Sequence, residues 1–195
     1  MRSEKQIRSL QTELKTRAEP ESEDRYIEGY FAVFNQQTEL WPGAFEEIAP
    51  GAFDNTLGND IRALINHDTT LVLGRNKAGT LELKADSHGL WGRIKINPND
   101  SDAVNLYERV KRGDVDQCSF GFNIDKEEAD WRQDGTVKWT IQEADLHEVS
   151  PCTFPAYEQT GIQARKAEYA QHHERVREQR KNQLKERLKA WHSNN

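Results

Sequence analysis

Three side chains of this chain are of types that together could perform acyl transfer. Ser119 lies in Cys118-Ser119-Phe120-Gly121-Phe122, between a polar loop, Arg112 to Gln117, and an aromatic-Gly-aromatic run. A serine hydroxyl is a poor nucleophile at neutral pH, so it needs a general base and a group to orient that base. His67 ends the apolar run Ile61-Arg62-Ala63-Leu64-Ile65-Asn66, and Glu148 sits within Leu146-His147-Glu148-Val149-Ser150. A carboxylate on an otherwise apolar strand is costly unless it is paired or hydrogen-bonded, and a bond to His67 answers that cost. In the chemistry this predicts, His67 takes the Ser119 proton as the hydroxyl attacks a peptide carbonyl and later returns it to the leaving amine. Glu148 holds the imidazole tautomer and stabilises its cationic form.

Blander readings stand beside each residue. His67 could be a satisfied structural histidine at a strand exit, and Glu148 a water-facing residue of an edge strand. Cys118 is the alternative nucleophile, but strand neighbours face opposite sides, so only one of Cys118 and Ser119 can point into a site. Asp68 is the carboxylate nearest His67 in sequence, yet adjacent residues rarely reach ring-to-carboxylate geometry. His67, Asp68, His147 and Glu148 could form a metal site, although no His-Glu-x-x-His helix or clustered Cys/His spacing is present. No Gly-rich phosphate loop occurs, and no cofactor is expected. Backbone oxyanion donors are sought in the Gly113 loop and the Gly74-Arg75 turn.

The elements that must position these groups read mainly as strands. Tyr26 to Asn35 is β-rich and aromatic, Phe45 to Ala49 is a second strand, and Ile61 to Asn66 a third. Leu10 to Lys15 alternates as an edge strand would. Asp54 to Leu57 is expected as a short helix, and Leu73-Gly74-Arg75 as part of a loop. Gly79 to Asp86 and Leu90 to Ile96 flank Ser87-His88-Gly89 as a hairpin. Asn99-Asp100-Ser101-Asp102 offers N-cap residues, Ala103, Leu106, Tyr107 and Val110 recur at helical spacing, and Gly113 is the stop. Phe120, Phe122 and Ile124 share one strand parity, and Ser119, Gly121 and Asn123 the other. Strands at Val137 to Ile141 and Ala144 to Phe154 follow, and alternation puts Leu146, Glu148 and Ser150 on one face. Pro155-Ala156-Tyr157 closes the domain. The pattern predicts an antiparallel, β-rich α+β fold, a barrel or sandwich with a few packed helices.

Composition bounds the function. With 195 residues the chain has room for one domain, expected over residues 25–160, after a polar, partly disordered arm (1–24) and before a charged helical tail (161–195). The net charge of −6 gives no electrostatic footprint for nucleic acid or an anionic membrane. No apolar run is long enough to span a bilayer, and the N-terminus lacks a signal-peptide pattern, so a cytosolic protein is expected. Cys118 and Cys152 do not suggest a disulfide scaffold. Tyr169, Val176, Leu184, Leu188 and Trp191 form a thin seam along the tail, which reads as a solvated helix or one that docks a partner.

Taken together, the ordered stretches resemble the prohead maturation proteases of tailed phages, a serine peptidase family distantly similar to the herpesvirus assembly proteases. The likeness runs through Ile27-Glu28-Gly29-Tyr30, Ala32-Val33-Phe34-Asn35, Ala49-Pro50-Gly51-Ala52-Phe53, Asn66-His67-Asp68, Leu73-Gly74-Arg75 and Gly79-Thr80-Leu81. It continues through Asp86, Gly89-Leu90, Arg112-Gly113-Asp114-Val115, Ser119-Phe120-Gly121-Phe122, Glu148-Val149-Ser150 and Pro155-Ala156-Tyr157. The resemblance implies a herpesvirus-protease type of β-barrel. It implies Ser119 as nucleophile, His67 as base and Glu148 as third member, with His147 the alternative because the herpesvirus relatives use a histidine there. It further implies action inside the assembling prohead in the host cytoplasm, on the scaffolding segment of the major capsid protein or a separate scaffold, with self-cleavage and a possible homodimer. A catalytically inactive scaffold or assembly chaperone is the competing class. A protease fused to a scaffold would need a longer helical extension than this tail.

Overall fold

The computed structural model describes residues 5–11, 14–19, 24–154 and 159–193. Its strands are β1 (Gln6–Gln11), β2 (Lys15–Ala18), β3 (Arg25–Val33), β4 (Thr38–Trp41), β5 (Ala44–Ile48), β6 (Arg62–Ile65), β7 (Asp68–Arg75), β8 (Leu81–Ala85) and β9 (Gly89–Lys95). The helix α1 (Ser101–Arg112), the long strands β10 (Gln117–Trp131) and β11 (Val137–Cys152), and the helix α2 (Gln159–Ser193) complete the chain.

The β10–β11 hairpin is the spine. It pairs antiparallel from Gln117↔Cys152 to Trp131↔Val137. Along its outer edge β1 adds antiparallel to β10, from Gln6↔Phe122 to Gln11↔Gln117. On the other side β11 takes β5 and β6 in parallel, β5 near the hairpin tip and β6 at Glu148↔Arg62 and Val149↔Ala63. The second sheet has the order β2-β3-β9-β8. The β-rich class with two helices matches the sequence reading, but the larger sheet is mixed and not antiparallel as expected, since β5 and β6 run parallel to β11, and the pairing describes two open sheets and closes neither into a barrel among the described residues.

Of two apolar clusters, the smaller gathers Ala44, Val137 and Trp139, and the larger lies between the sheets. Phe31, Phe53, Phe120, Phe122, Ile94 and Leu146 are all fully or nearly fully buried in it, and each such side chain contributes roughly 1.5–3 kcal/mol by leaving water. The odd-even division of β10 decides what faces this core: Cys118, Phe120 and Phe122 enter it, which leaves Ser119 and Gly121 for the opposite side. Helix α1 buries Ala103, Leu106, Tyr107 and Val110. The Asp100 side chain accepts from the Asp102 and Ala103 amides at its start, and Gly113, at φ 84, ends it in the left-handed region.

Several elements depart from the sequence reading. Leu73-Gly74-Arg75 belongs to strand β7 and not to a loop, because β6 and β7 are a hairpin whose polar outward residues (Asp68, Thr69, Thr70) mask the alternation. Residues 54–57 form turns instead of a helix. The two strands expected at Val137 to Ile141 and Ala144 to Phe154 are one, since irregularities at Ile124/Lys126 and Lys126/Glu127 absorb the break in alternation. Within the polar arm, residues 6–11 and 15–18 are strands, each paired with a longer neighbour that supplies the apolar contacts the arm lacks. Pro155 to Tyr157 lie outside the described residues.

Candidate active site

His67 owes its place to a two-residue turn. Ile65 pairs with Asp68 across β6 and β7, leaving Asn66 and His67 as the connection, at φ 50 and 63. Two consecutive left-handed residues define a primed hairpin turn, which favours Asn at its first position and tolerates His, though less readily than Gly, at its second. The turn is fastened to β11: the Asn66 amide donates to the Pro151 carbonyl (3.1 Å) and the Thr153 amide to Asn66 Oδ1 (2.9 Å). So held, His67 Nδ1 meets Glu148 Oε1 at 2.7 Å, with both side chains nearly buried.

Glu148 faces His67 because β11 bulges. Gly121 pairs with Glu148 but Phe122 pairs with Leu146, so His147 is an extra residue. The bulge breaks the parity expected from alternation: Leu146 turns into the core while Glu148 and Ser150 stay on the Ser119 side. Ser150 Oγ donates to Glu148 Oε2 at 2.7 Å, and Lys5 Nζ lies 3.4 Å from Oε1. Burial raises the Glu148 pKa, but the hydrogen bond and charge of His67, the Ser150 hydroxyl and Lys5 outweigh it and hold the carboxyl below its ordinary value. It is Glu148, not His147, that contacts His67.

Gly121 makes room for that carboxylate. A Cβ there would stand 2.3 Å from Glu148 Oε1 and 2.5 Å from Lys5 Cε. Lys5 can swing away, whereas Glu148 is held on both oxygens. Gly121→Ala is therefore expected to push the carboxylate off His67, lowering turnover on a peptide substrate by about 10²-fold, the scale of a small misplacement, while far-UV circular dichroism stays unchanged.

Ser119 is fully buried, between Ser9 of β1 and Ser150 of β11 in register, and its Oγ donates to the Arg8 carbonyl at 2.7 Å. The structure thus joins His67 to Glu148 directly and brings Ser119 to them through its strand pairing with Ser150. His67 Nε2 is buried and hydrogen-bonded to nothing among the described residues. The rival groups point elsewhere. Cys118 Sγ donates to the Tyr30 carbonyl on the core side, and burial together with the Glu148 charge pushes the Cys152 thiol up to about 11. The Asp68 carboxylate accepts from the amide and hydroxyl of Thr70. The Gly113 amide is committed to the Val110 carbonyl, and Gly74 sits in the β6–β7 ladder. No cluster of metal-ligating side chains occurs among the described residues.

A second buried polar group escapes sequence reading. Glu46 of β5 accepts from Arg8 Nε (2.5 Å) and Nη2 (2.9 Å) on one side and from Arg165 of α2 on the other. Arg165 also lies over the Trp139 ring, 5.0 Å from its centroid. Burial raises the Glu46 pKa, but the two guanidiniums more than reverse it. The available signal is an acid at the inward parity of Ala44-Phe45-Glu46-Glu47-Ile48, where Ala44, Glu46 and Ile48 are all buried. Lys5, Arg8 and Ser150 carried no signal of their own.

Glu46 and Glu148 make stability depend on acid. Both titrate lower folded than their ordinary 4.5, so their contribution is complete above that pH and is lost as pH falls through the depressed values. The urea midpoint is expected to be flat from neutrality to about pH 5 and to drop below 4.5, with a shallower drop for Glu148→Gln.

The chain belongs to the caudovirus prohead serine protease family, whose profile matches residues 12–175. Over 145 residues it is 36% identical to the prohead protease of Enterobacteria phage HK97, an alignment covering 72% of this chain and 60% of that protein. This chain therefore spans less than two thirds of that relative's length. Among solved structures it is similar to the bacteriophage T4 capsid assembly protease, with a TM-score of 0.42 and 11% identity over 75% of this chain and 98% of that one.

Proposed function

We propose that this chain is a serine endopeptidase that cleaves the scaffolding segment of the major capsid protein, or a separate scaffold protein, and itself, inside the assembling prohead in the host cytoplasm. The observation that carries the reading is the buried His67–Glu148 pair at 2.7 Å, set on the same side of the hairpin as Ser119 in a chain of this family. A buried carboxylate kept ionised against an imidazole nitrogen is what a general base requires behind it.

His67 Nε2 takes the Ser119 proton as Oγ bonds to the scissile carbonyl carbon. The imidazolium, stabilised by Glu148, then gives that proton to the departing amine as the C–N bond breaks. Water, deprotonated by the same nitrogen, releases the acyl group and restores the hydroxyl. Ser150 keeps the Glu148 carboxylate from rotating. In this reading the two open sheets stand for the barrel of the herpesvirus-type proteases, and a homodimer is the working form.

The test is co-expression with the coat protein, followed by intact mass of the coat subunit and of the protease. Wild type is expected to trim the coat N-terminus or a separate scaffold, and Ser119→Ala to leave every chain full length in assembled shells. Identical processing with and without Ser119 would end the assignment.

A further inference from the structure

The strand that leaves His67 ends in a cleft that the chemistry above does not use. Val72, Ala78 and Pro98 wall it, the buried Leu73 and Ile96 floor it, and its volume is about 470 Å³. We propose that this cleft is a specificity subsite, which holds an uncharged aliphatic side chain of the extended peptide being cleaved, about three residues from the scissile bond. The proposal deepens the protease reading and rests on it.

Position is the first observation. Ile65 pairs with Asp68, but Leu64 pairs with Val72, so Thr69, Thr70 and Leu71 bulge out of the β6–β7 ladder. The bulge carries Val72 back opposite Leu64, which precedes His67 by only three positions. At about 3.3 Å per residue that is roughly 10 Å, the reach of about three residues of extended peptide. Bulges recur beside active sites, where they re-aim a side chain. Val72 is 45% exposed, and among the described residues no other exposed large apolar side chain lies before Phe154.

The way in is the second. Among the described residues β7 pairs with β6 alone, so its outer edge is open to an added strand from the His67 turn toward Arg75. At Arg75 the edge closes: the amide donates to Thr80 Oγ1 (2.9 Å), and the carbonyl accepts from the Thr80 amide (3.2 Å). Strand addition captures an extended peptide through backbone bonds whatever its sequence, and slots for alternate side chains supply the selectivity. Here the closed end of the edge coincides with the cleft, since Val72, Leu73, Gly74 and Arg75 all line it.

The third observation sets the chemistry of the ligand. Arg75, Lys95 and Asp100 rim the cleft, and each is already committed. Arg75 makes two bonds to Asp60 (2.6 and 2.7 Å), Lys95 donates to Asp24 (2.8 Å), and the Asp100 carboxylate accepts from the Asp102 and Ala103 amides at the start of α1. None of the three is left to receive an ion. A charge brought into this cleft would go unpaired, whereas an aliphatic side chain gains by leaving water.

The test is processing of the coat or scaffold chain in co-expression with the full-length protease, followed over time by intact mass, with circular dichroism of each variant to check its folding. Val72→Glu is expected to slow trimming at least about tenfold, the scale on which an apolar pocket discriminates. Val72→Thr, which keeps the shape of the side chain, is expected to slow it less. The decisive measurement is rescue. Each aliphatic substrate residue within about four of the cut is changed singly to Lys, and one such change is expected to give a poor substrate for wild type and a good one for Val72→Glu. A merely structural Val72 would produce no exchange of preference.

If Val72→Glu trims the native substrate at the wild-type rate, or if the folded variant is slow and no Lys substitution restores it, the subsite is wrong. Ser119 then still stands as nucleophile, provided that Ser119→Ala abolishes trimming. If trimming is the same with Ser119→Ala as with wild type, the protease reading fails and the subsite fails with it.

Discussion

Glu148→Gln is expected to lower kcat/KM on a coat-derived peptide by about 10⁴-fold, the scale seen when an orienting acid becomes an amide. The two side chains have the same shape, so the fold is expected to survive. What changes is the hydrogen bond to His67 Nδ1, 2.7 Å long in the structure. The carboxylate can only accept, which keeps the proton on Nδ1 and leaves Nε2 bare to act as base. A glutamine can turn its NH₂ toward the ring instead and reverse the tautomer. Even with its oxygen toward the ring, it lacks the charge that stabilises the imidazolium. Ser119→Ala sets the floor in the same assay. A loss below tenfold for Glu148→Gln would remove Glu148 from the machinery and leave it a buried structural acid.

Glu46→Ala is expected to cost stability more than any surface change. It leaves two guanidiniums, Arg8 and Arg165, facing each other with both side chains nearly buried. Removing one partner of a buried ion pair typically costs about 3–5 kcal/mol, which for a chain of this size corresponds to a Tm lowered by roughly 10 °C. Part of that cost is relieved if Arg8 leaves with β1, so hydrogen exchange is expected to show residues 6–11 opening before the rest of the fold. Glu46→Gln retains two acceptor sites and one carbonyl, and its loss is expected to be smaller. Unchanged melting in Glu46→Ala would mean that water already reaches this knot.

The sequence makes much of this arrangement legible where local chemistry decides it. Helix α1 announces itself through Asp100, the spacing of Ala103, Leu106, Tyr107 and Val110, and Gly113. The β8–β9 hairpin does so through Ser87-His88-Gly89. The contact between His67 and Glu148 is legible as an unmet cost, an acid in an apolar run that needs a partner. What alternation cannot foresee is its own interruption. The extra residue at His147 turns Leu146 into the core and leaves Glu148 outside it, and only the register with β10 reveals this. Contacts across long sequence separations are equally hidden. Arg8 reaches Glu46 and Ser119 from a segment whose composition, taken alone, reads as solvated arm, and it is ordered by the edge of β10 and not by any property of its own.

Two of the three proposed catalytic groups share one hairpin. Ser119 and Ser150 are register partners, and Glu148 pairs with Gly121, so the offset between the proposed nucleophile and its acid is set by the register of two neighbouring strands. A sheet ladder of this length does not shear in ordinary thermal motion. His67 alone arrives from outside, on a two-residue turn fastened at its ends. The site is therefore a rigid frame with one movable member. Conformational control, whether by a neighbouring subunit, a bound peptide or the changing shell around it, would act on this site through the β6–β7 turn.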